Sequence, residues 1–264
     1  MRVLVTGVCG AIGSTVAPAL AAQGHEVRGL DLVAPDDRLA AALSAGMLVG
    51  DVLDPMLADQ AVEGVDAVVH LAGLPEESTL TDELTSHAHT TAVLLDAMVR
   101  HGVDRFVYAS SNHAVGMVPR TDRLEAEVRP RPDTFYGVAK VAAEALMNLY
   151  ADRFGMTAVA LRIGSFREEP TTRRALSTWL SPGDAVHLVE AALTTDESGF
   201  IAVYGISANT RAWWDLGPGR RIGYAPRDNA EAFAASIPDR EEDEAEGDRV
   251  GGPFAVMPLG RPLP

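Results

Sequence analysis

The 264-residue sequence has one cysteine, one lysine, few aromatic side chains and no long apolar run. The single cysteine, Cys9, excludes a disulfide framework and favours a reducing cytoplasm. Without about 18 consecutive apolar residues, we expect no segment to cross a membrane. Basic residues number 22 against 37 acidic ones, and the net charge of −15 argues against a nucleic acid as partner.

Short apolar runs alternate with helical patterns through the first 164 residues. Strands are predicted at 2–6, 26–31, 46–49, 67–71, 105–110 and 157–164. Helices are predicted at 11–23, 81–101 and 134–154. Strands that read as continuous apolar runs between helices indicate an α/β fold, a doubly wound parallel sheet of the Rossmann type covered on both faces. Ligands bind such a sheet at the carboxyl ends of its strands.

The pattern loosens after residue 164. A helix at 181–193, a late strand at 200–207 and a short helix at 229–237 are predicted, and the acidic run 239–248 is interpreted as a solvated loop. We therefore expect a dinucleotide-binding core with the catalytic residues over 1–164. Residues 165–264 form a small substrate-binding and C-terminal region packed on that core, within one globular unit.

A glycine-rich loop, TGVCGAIG, lies between the first predicted strand and the first helix. Gly7 permits a tight turn, Gly10 lets the backbone approach a pyrophosphate, and Gly13 lets the helix pack closely. The helix N-terminus then offers free amides to phosphates. This position in the chain predicts a dinucleotide cofactor, and Cys9 within the loop is interpreted as a packing residue.

Asp31 ends the second predicted strand, 18 residues after Gly13. A carboxylate there accepts hydrogen bonds from the adenosine ribose and repels a 2′-phosphate, which favours NAD over NADP. The alternative is an ordinary aspartate at a strand end. The full set of predicted cofactor-binding residues is Gly7, Gly10, Ala11, Ile12, Gly13, Asp31, Asp51, Val52, Leu71, Ala72, Gly73, Tyr136, Lys140 and Ile163.

The only lysine, Lys140, lies in the stretch FYGVAK, four residues after Tyr136, whereas the other basic residues are all arginine. On a helix this spacing puts both side chains on one face. A nearby ammonium lowers the pKa of a phenol, normally about 10, and can also bond a nicotinamide ribose. A planar guanidinium is too wide for both tasks. The pair predicts Tyr136 as general base and Lys140 as its partner, the alternative being a chance pairing on the helix surface.

Ser110 and Ser111 follow the fifth predicted strand, where a hydroxyl can bond a substrate oxygen. A serine at this place, 25 residues before the tyrosine, resembles the extended short-chain dehydrogenase/reductase superfamily over residues 1–165. The resemblance favours Ser111 over Ser110 as the third catalytic residue.

Further segments resemble one family of that superfamily, the uronate dehydrogenases, over nearly the whole chain. They are SSNHAVG, RPDTFYGVAK, RIGS, LSTW, SANTRAWWD and PRDNAEAF. The resemblance implies NAD-dependent oxidation of a hexuronic acid at its anomeric carbon to an aldarolactone. It also implies Arg174 as the partner of the substrate carboxylate, with Asn112 and Ser165 contacting the sugar; His113 either contacts the sugar or caps its loop. The neighbouring Arg173 is expected to point elsewhere.

Two positions depart from the family. Pro75 stands where the family has a sugar-binding serine, for which Ser78 is a possible substitute, and His87 stands in place of an asparagine near substrate and cofactor. A proline cannot donate a hydrogen bond and a histidine has a different reach, so we expect a changed epimer preference or a changed substrate.

Three alternatives remain open from the sequence. A sugar-nucleotide epimerase or dehydratase has little chain after residue 164 to enclose a nucleotide. A non-catalytic NAD sensor has no reason to keep the tyrosine–lysine pair. A related dehydrogenase acts on another sugar or sugar acid. We expect a cytoplasmic homo-oligomer by analogy with the superfamily, and no metal.

Overall fold

The computed structural model describes residues 1–121 and 123–261. Nine strands lie in these ranges: β1 (Arg2–Thr6), β2 (Glu26–Asp31), β3 (Met47–Val49), β4 (Ala67–His70), β5 (Arg105–Ser111), β6 (Thr157–Ile163), β7 (Ser165–Phe166), β8 (Trp179–Leu180) and β9 (Gly199–Gly205). Ten α-helices accompany them: α1 (Gly13–Ala22), α2 (Asp37–Ala42), α3 (Pro55–Val62), α4 (Leu80–Glu83), α5 (Thr90–His101), α6 (Phe135–Phe154), α7 (Ala175–Thr178), α8 (Pro182–Thr194), α9 (Gly217–Arg221) and α10 (Asp243–Gly247).

Seven strands form one parallel sheet in the order β3-β2-β1-β4-β5-β6-β9. The predicted doubly wound α/β fold is therefore confirmed. The order reverses between β1 and β4, which pair in register from Val3 opposite Ala67 to Thr6 opposite His70. This reversal opens a crevice at the carboxyl ends of the strands, where such folds bind ligands. The short strands β7 and β8 form a separate pair.

Two apolar layers cover the sheet. Along β1, Val3 and Val5 face a cluster that includes Leu20 of α1 and Leu188 of α8. Leu4, pointing the other way, joins a second cluster with residues of α3, α5 and α6. Successive strand residues alternate between faces, so this short apolar run supplies both layers.

Local signals explain where the longest helix begins and ends. The Thr134 hydroxyl accepts a hydrogen bond from the Gly137 amide at 2.8 Å, which satisfies one free donor in the first turn of α6. At the other end Gly155 adopts φ +71, a left-handed conformation that ends helices and that glycine adopts without a Cβ clash. These caps fix the helix that carries Tyr136 and Lys140.

Three predicted elements differ in the structure. The helical stretch 81–101 contains a π-helical segment, Leu84–His89, between α4 and α5. The helix expected at 229–237 is the 3-10 helix Ala230–Ser236. The interpretation of 239–248 as a loop was wrong in part, because Arg240 bonds Asp243 and Glu246 and residues Asp243–Gly247 form α10.

The second part of the chain is continuous with the first. Strand β9 pairs with β6 along its whole length, and α8 packs on the same layer as α1. A third apolar cluster, around Trp213, Trp214 and Val250, lies past the carboxyl ends of β5 and β9. The boundary at residue 164 stays a prediction. No helix among the described residues is long and apolar enough to cross a membrane.

Candidate active site

The loop between β1 and α1 is shaped by glycines that have no room for a side chain. A Cβ on Gly7, which has φ +67, would lie 2.6 Å from the Ala72 nitrogen. A Cβ on Gly13 would lie 2.3 Å from the Gly7 carbonyl oxygen. The loop therefore passes close to the end of β4 and leads directly into α1, whose first amides face the crevice.

A cavity of about 1150 Å³ occupies the crevice at the reversal of strand order. Its lining includes every residue predicted to bind the cofactor: Gly7, Gly10, Ala11, Ile12, Gly13, Asp31, Asp51, Val52, Leu71, Ala72, Gly73, Tyr136, Lys140 and Ile163. The lining runs without a break from the glycine loop to the tyrosine–lysine pair, and it also includes Ser111.

Asp31 is positioned by main-chain amides at the edge of this cavity. Its carboxylate accepts hydrogen bonds from the Cys9 amide at 2.9 Å and the Val33 amide at 3.3 Å. Burial, followed by the field of Asp31, raises the pKa of the Cys9 thiol, which agrees with a packing role for this cysteine. Arg38 is exposed and does not line the cavity.

The two serines at the end of β5 have different partners. The Ser110 hydroxyl, although Ser110 also lines the cavity, donates to the buried Glu144 carboxylate at 2.6 Å. The Ser111 hydroxyl accepts from the His113 amide at 3.2 Å, donates to Asn112 Oδ1 at 3.3 Å, and acts to lower the pKa of the Tyr136 phenol. Only Ser111 is therefore placed against the tyrosine, which supports the choice between them.

Lys140 is buried at the end of the cavity. Its ammonium donates to the Ala109 carbonyl at 2.7 Å and lies 5.0 Å from the centre of the Tyr136 ring. Burial lowers the pKa of this ammonium to about 7, while the carboxylates of Glu83 and Glu144 act in the opposite direction. A buried ammonium of this kind keeps its charge only with help from nearby anions.

The Tyr136 phenol differs from the expectation of a lowered pKa. Burial raises the pKa of Tyr136 to about 12, although the hydrogen bond from Ser111 acts in the opposite direction. The free phenol therefore holds its proton at neutral pH. The phenolate would gain stability from the charged Lys140 only when the reacting groups are assembled.

The predicted carboxylate partner, Arg174, lies beside the chain segment 248–260, which we call the tail. The guanidinium donates from Nη2 to the Val250 carbonyl at 2.7 Å, and the Asn112 amide donates to the same oxygen at 3.5 Å. A Cβ on Gly252 would lie 2.2 Å from Arg174 Nε. Burial lowers the pKa of Arg174 to about 10, opposed by Asp133 and Glu246.

His113 is held by two neighbours that sequence reasoning did not identify. Its Nδ1 lies 2.9 Å from the Asp133 carboxylate, and its ring packs edge-on against Phe254 of the tail, with 4.6 Å between centroids. A carboxylate on Nδ1 favours a proton there and leaves Nε2 as the free nitrogen. The ring is 6.0 Å from that of Tyr136.

Ser165, the remaining predicted sugar contact, is linked to Arg174 through the side chain of Thr178. The Ser165 hydroxyl bonds that of Thr178 at 2.9 Å, and Thr178 in turn donates to the Arg174 carbonyl at 3.4 Å. Asn112, His113, Ser165 and Arg174 do not line the large cavity. Arg173 points away, as expected, and pairs with Asp239 at 2.6 Å.

Both residues that depart from the family line the cavity. Pro75 and Ser78 lie in the loop after β4, and the Ser78 hydroxyl donates to Asp82 at 3.3 Å. The His87 ring packs edge-on against Tyr136, with 5.2 Å between centroids. A Cβ on Gly73 would lie 2.3 Å from this ring, so His87 fills the space beside the end of β4.

Glu77 is a functional candidate that the sequence did not reveal. Its buried carboxylate accepts from the Phe135 amide at 3.0 Å and the Tyr136 amide at 2.8 Å, at the first turn of α6. It also accepts from the Gly260 amide of the tail at 3.0 Å. The Glu77 side chain thus joins the loop after β4, the start of α6 and the tail. These segments lie far apart in the sequence, so a local sequence motif cannot predict the contact.

The cavity fits a dinucleotide on three observations. The glycine loop packs so tightly on neighbouring backbone that Cβ atoms on Gly7 and Gly13 would clash with it, Asp31 lines one end of the cavity, and the buried ammonium of Lys140 lines the other. Together with the sheet order, these features define a Rossmann protein of the dinucleotide-dependent class, with a serine, a tyrosine and a lysine at the reactive end.

The chain belongs to the NAD dependent epimerase/dehydratase family, which it matches over residues 3–196. It is 35% identical to uronate dehydrogenase of Pseudomonas syringae pv. tomato, with 98% of this chain and 95% of that protein covered. A mutant of uronate dehydrogenase from Agrobacterium tumefaciens, solved in complex with NAD, is 35% identical, with a TM-score of 0.87 and 97% of each chain covered.

Sugar dehydrogenases with other substrates are also similar. The L-arabinose 1-dehydrogenase (NAD(P)(+)) of Haloferax volcanii is 36% identical, with 87% of this chain and 97% of that protein covered.

Proposed function

We propose that this protein is an NAD-dependent oxidoreductase that oxidises a hexuronic acid, such as glucuronate or galacturonate, at its anomeric carbon to the aldarolactone. The observation that carries the proposal is the shared cavity: Ser111, Tyr136 and Lys140 line the same space as the glycine loop. The near full-length similarity to uronate dehydrogenases supports the substrate class.

Each catalytic residue has one task. Tyr136 takes the proton of the anomeric hydroxyl as general base. Ser111, which lines the same cavity as Tyr136, orients that hydroxyl, and Lys140 stabilises the phenolate. Bound NAD would accept the hydride from the anomeric carbon, and the chemistry of that acceptance belongs to the cofactor. Asp31 and the glycine loop would hold its adenosine ribose and pyrophosphate.

Arg174 binds the substrate carboxylate in this proposal. Its Nε has no hydrogen-bond partner among the described residues, and a buried polar group without a partner costs free energy. A carboxylate would satisfy Nε and the remaining guanidinium protons with parallel, charge-assisted hydrogen bonds. Asn112, His113 and Ser165 are proposed to contact the sugar around it.

A second candidate is a dehydrogenase for a neutral aldose or another sugar acid. Pro75 favours it, because proline at this cavity position cannot donate the hydrogen bond that a serine would give to a sugar. A sugar-nucleotide epimerase or dehydratase remains a weaker alternative.

The proposal is tested with purified protein, NAD and a panel of sugars, by following NADH formation from its near-ultraviolet absorbance. The panel holds glucuronate, galacturonate and mannuronate, each with its neutral aldose of the same configuration. Turnover of uronates well above that of the matched aldoses is expected. Turnover of neutral aldoses alone would contradict the uronate proposal and favour the second candidate.

We also propose that the protein works in the cytoplasm as a homo-oligomer. The single half-buried cysteine suits a reducing compartment. Helices α5 and α6 expose apolar side chains, including Val99, Val138, Leu149 and Phe154, that a partner copy would cover. Sedimentation equilibrium of the purified chain measures the state directly, and a monomer at micromolar concentration would contradict the proposal.

A further inference from the structure

Among the described residues, the carboxylates of Glu83 and Glu144 favour the charged form of the buried Lys140. The two carboxylates differ in their hydrogen-bond partners. Glu144 is fully engaged: Arg162 binds it through two hydrogen bonds of 2.9 and 2.7 Å, and Ser110 donates to it at 2.6 Å. Because Arg162 already cancels its charge, Glu144 has little field left for the lysine. Among the described residues, no arginine or lysine forms a salt bridge with the second carboxylate, that of Glu83.

The Glu83 carboxylate is buried without a hydrogen-bond partner or a cation among the described residues. The side chain has no exposed surface, and neither carboxylate oxygen has a hydrogen-bond partner among the described residues. His87 Nε2, one helical turn on, lies 3.3 Å from Glu83 Oε2. Burial of an unpartnered carboxylate is costly, so its retention inside an enzyme calls for an explanation.

His87 does not supply the missing charge. Its Nε2 also lies 3.1 Å from the Leu74 carbonyl oxygen, so this nitrogen carries the proton and faces two acceptors. Burial, with the field of Lys140, lowers the pKa of His87 to about 2, and the ring is neutral at physiological pH. His87 lines the cavity while Glu83 does not, so the imidazole separates the carboxylate from the cofactor space.

The other titratable groups that face Lys140 are also neutral. Burial lowers the pKa of His70, on β4, to about 3. The rings of Tyr108 and Tyr136 lie 4.8 and 5.0 Å from the ammonium, and burial raises the pKa of both phenols. Around the ammonium, Glu83 is therefore the anion that no other cation neutralises among the described residues.

We propose that Glu83 is a positioning residue whose buried carboxylate keeps Lys140 charged, so that Tyr136 can release its proton during the reaction. The two groups act through space, because the ammonium is hydrogen-bonded to the Ala109 carbonyl and makes no contact ion pair with a described carboxylate. In a dry interior such fields extend further than in water. The proposal rests on the proposed dehydrogenase function only for its catalytic consequence.

The pKa shifts of Glu83 and Lys140 agree in sign with this arrangement, while the direct field of Glu83 on Tyr136 raises the pKa of that phenol and acts against its ionisation. Burial raises the pKa of Glu83 to about 7, with Glu77 and Asp82 adding to the rise while the Ser78 amide and Lys140 oppose it. Burial lowers the pKa of Lys140, and Glu83 opposes that change too. Each charge therefore favours the other, and removing the carboxylate makes the ammonium lose its proton at a lower pH.

The composition of the chain makes a direct test possible. Because Lys140 is the only lysine, protein made with lysine labelled at Cε with carbon-13 gives one side-chain signal from lysine. The pH midpoint of that signal reports the pKa of Lys140 without any substrate. In Glu83→Gln we expect the midpoint to fall by about one pH unit.

Two further variants make the result decisive. Glu83→Met removes the charge without leaving a buried amide, and it covers the case in which Glu83→Gln does not fold. Glu76→Gln makes the same chemical change on an exposed carboxylate of the loop after β4 and should leave the midpoint unchanged. An unchanged midpoint in the folded Glu83 variants would overturn the proposal.

A second readout follows the reaction. Lys140 must be charged, so activity falls as pH rises through its pKa, and in Glu83→Gln this alkaline limb of kcat/KM should move to lower pH by the same amount. A role in packing alone would change the rate equally at every pH. Failure of all uronates as substrates would contradict the proposed function, whereas the lysine titration would still decide the role of Glu83.

Discussion

The two ends of the site are built in different ways. The cofactor end is lined by the segments that follow β1, β2, β3 and β4, and main-chain amides of Cys9 and Val33 hold Asp31 there. The substrate end uses side chains, and these depend on the tail: Arg174 and Asn112 meet at the Val250 carbonyl, and Glu77 holds Gly260. The cofactor end is therefore set by local backbone shape, and the substrate end by long-range contacts between a few side chains.

This difference has a direct consequence for mutation. Changes at the substrate end should alter turnover or sugar binding while the cofactor affinity stays the same. Changes at the cofactor end should alter coenzyme choice while the KM for sugar stays the same. The tyrosine and lysine stand where the two ends meet, so they have the largest effects.

Tyr136→Phe is expected to lower kcat by about a thousandfold or more, because the general base is lost. The dissociation constant for NAD, measured by calorimetry, should change little. Tyr150→Phe is the matched control on the same helix, since that hydroxyl bonds the distant Asp96. Substantial turnover by Tyr136→Phe would remove Tyr136 from the role of base.

Lys140→Arg is expected to lower kcat by about a hundredfold although the charge is kept. The Nζ atom donates to the Ala109 carbonyl and lies 4.8 and 5.0 Å from the rings of Tyr108 and Tyr136, so a wider guanidinium would lose this placement. Steady-state rates at several pH values make the measurement. Arg153→Lys, at an exposed site of α6, serves as control, and a near wild-type rate for Lys140→Arg would mean that the geometry at Nζ is unimportant.

Arg174→Ala is expected to raise the KM for uronates by about tenfold to a hundredfold, the value of a lost charge-assisted contact. For neutral aldoses the change should be small, and the affinity for NAD should be unaltered. Arg173→Ala tests the neighbouring guanidinium, which is paired with Asp239. Equal losses on acidic and neutral sugars would place Arg174 outside the carboxylate site.

Asp31→Asn should have the smallest effect. The amide oxygen can still accept from Cys9, but the charge that repels a 2′-phosphate is gone. We expect the preference for NAD over NADP to weaken by about tenfold, equivalent to about 1.4 kcal/mol. The sugar KM should not move, and Asp37→Asn, an exposed site on α2, provides the control. An unaltered coenzyme ratio would assign Asp31 a structural role.

The predictions for the cofactor end rest on local signals. Glycine spacing, strand ends and the tyrosine–lysine interval each lie within a few residues, and every predicted cofactor residue lines the cavity. The strand predictions hold for the same reason, since each strand is a short apolar run bounded by turn residues. Strand β9, at the edge of the seven-stranded sheet, also falls where the apolar run FIAVYGIS predicts a strand.

What the sequence does not predict depends on contacts between distant segments. The acidic run contains α10 because Arg240 bridges Asp243 and Glu246, which charge counting cannot show. Glu77 and Glu83 both look like solvated loop or helix residues, yet tertiary packing buries them. The lowered pKa expected for Tyr136 was absent, because burial outweighs the hydrogen bond that favours its phenolate.

The contact between Glu77 and Gly260 also has a consequence for the time order of assembly. The ribosome makes residues 248–260 after the glycine loop, the catalytic helix and all strands of the sheet. A growing chain can close its coenzyme crevice while Arg174 still lacks the Val250 carbonyl. During synthesis, the residues that line the coenzyme crevice are therefore complete before the contacts that hold the substrate end.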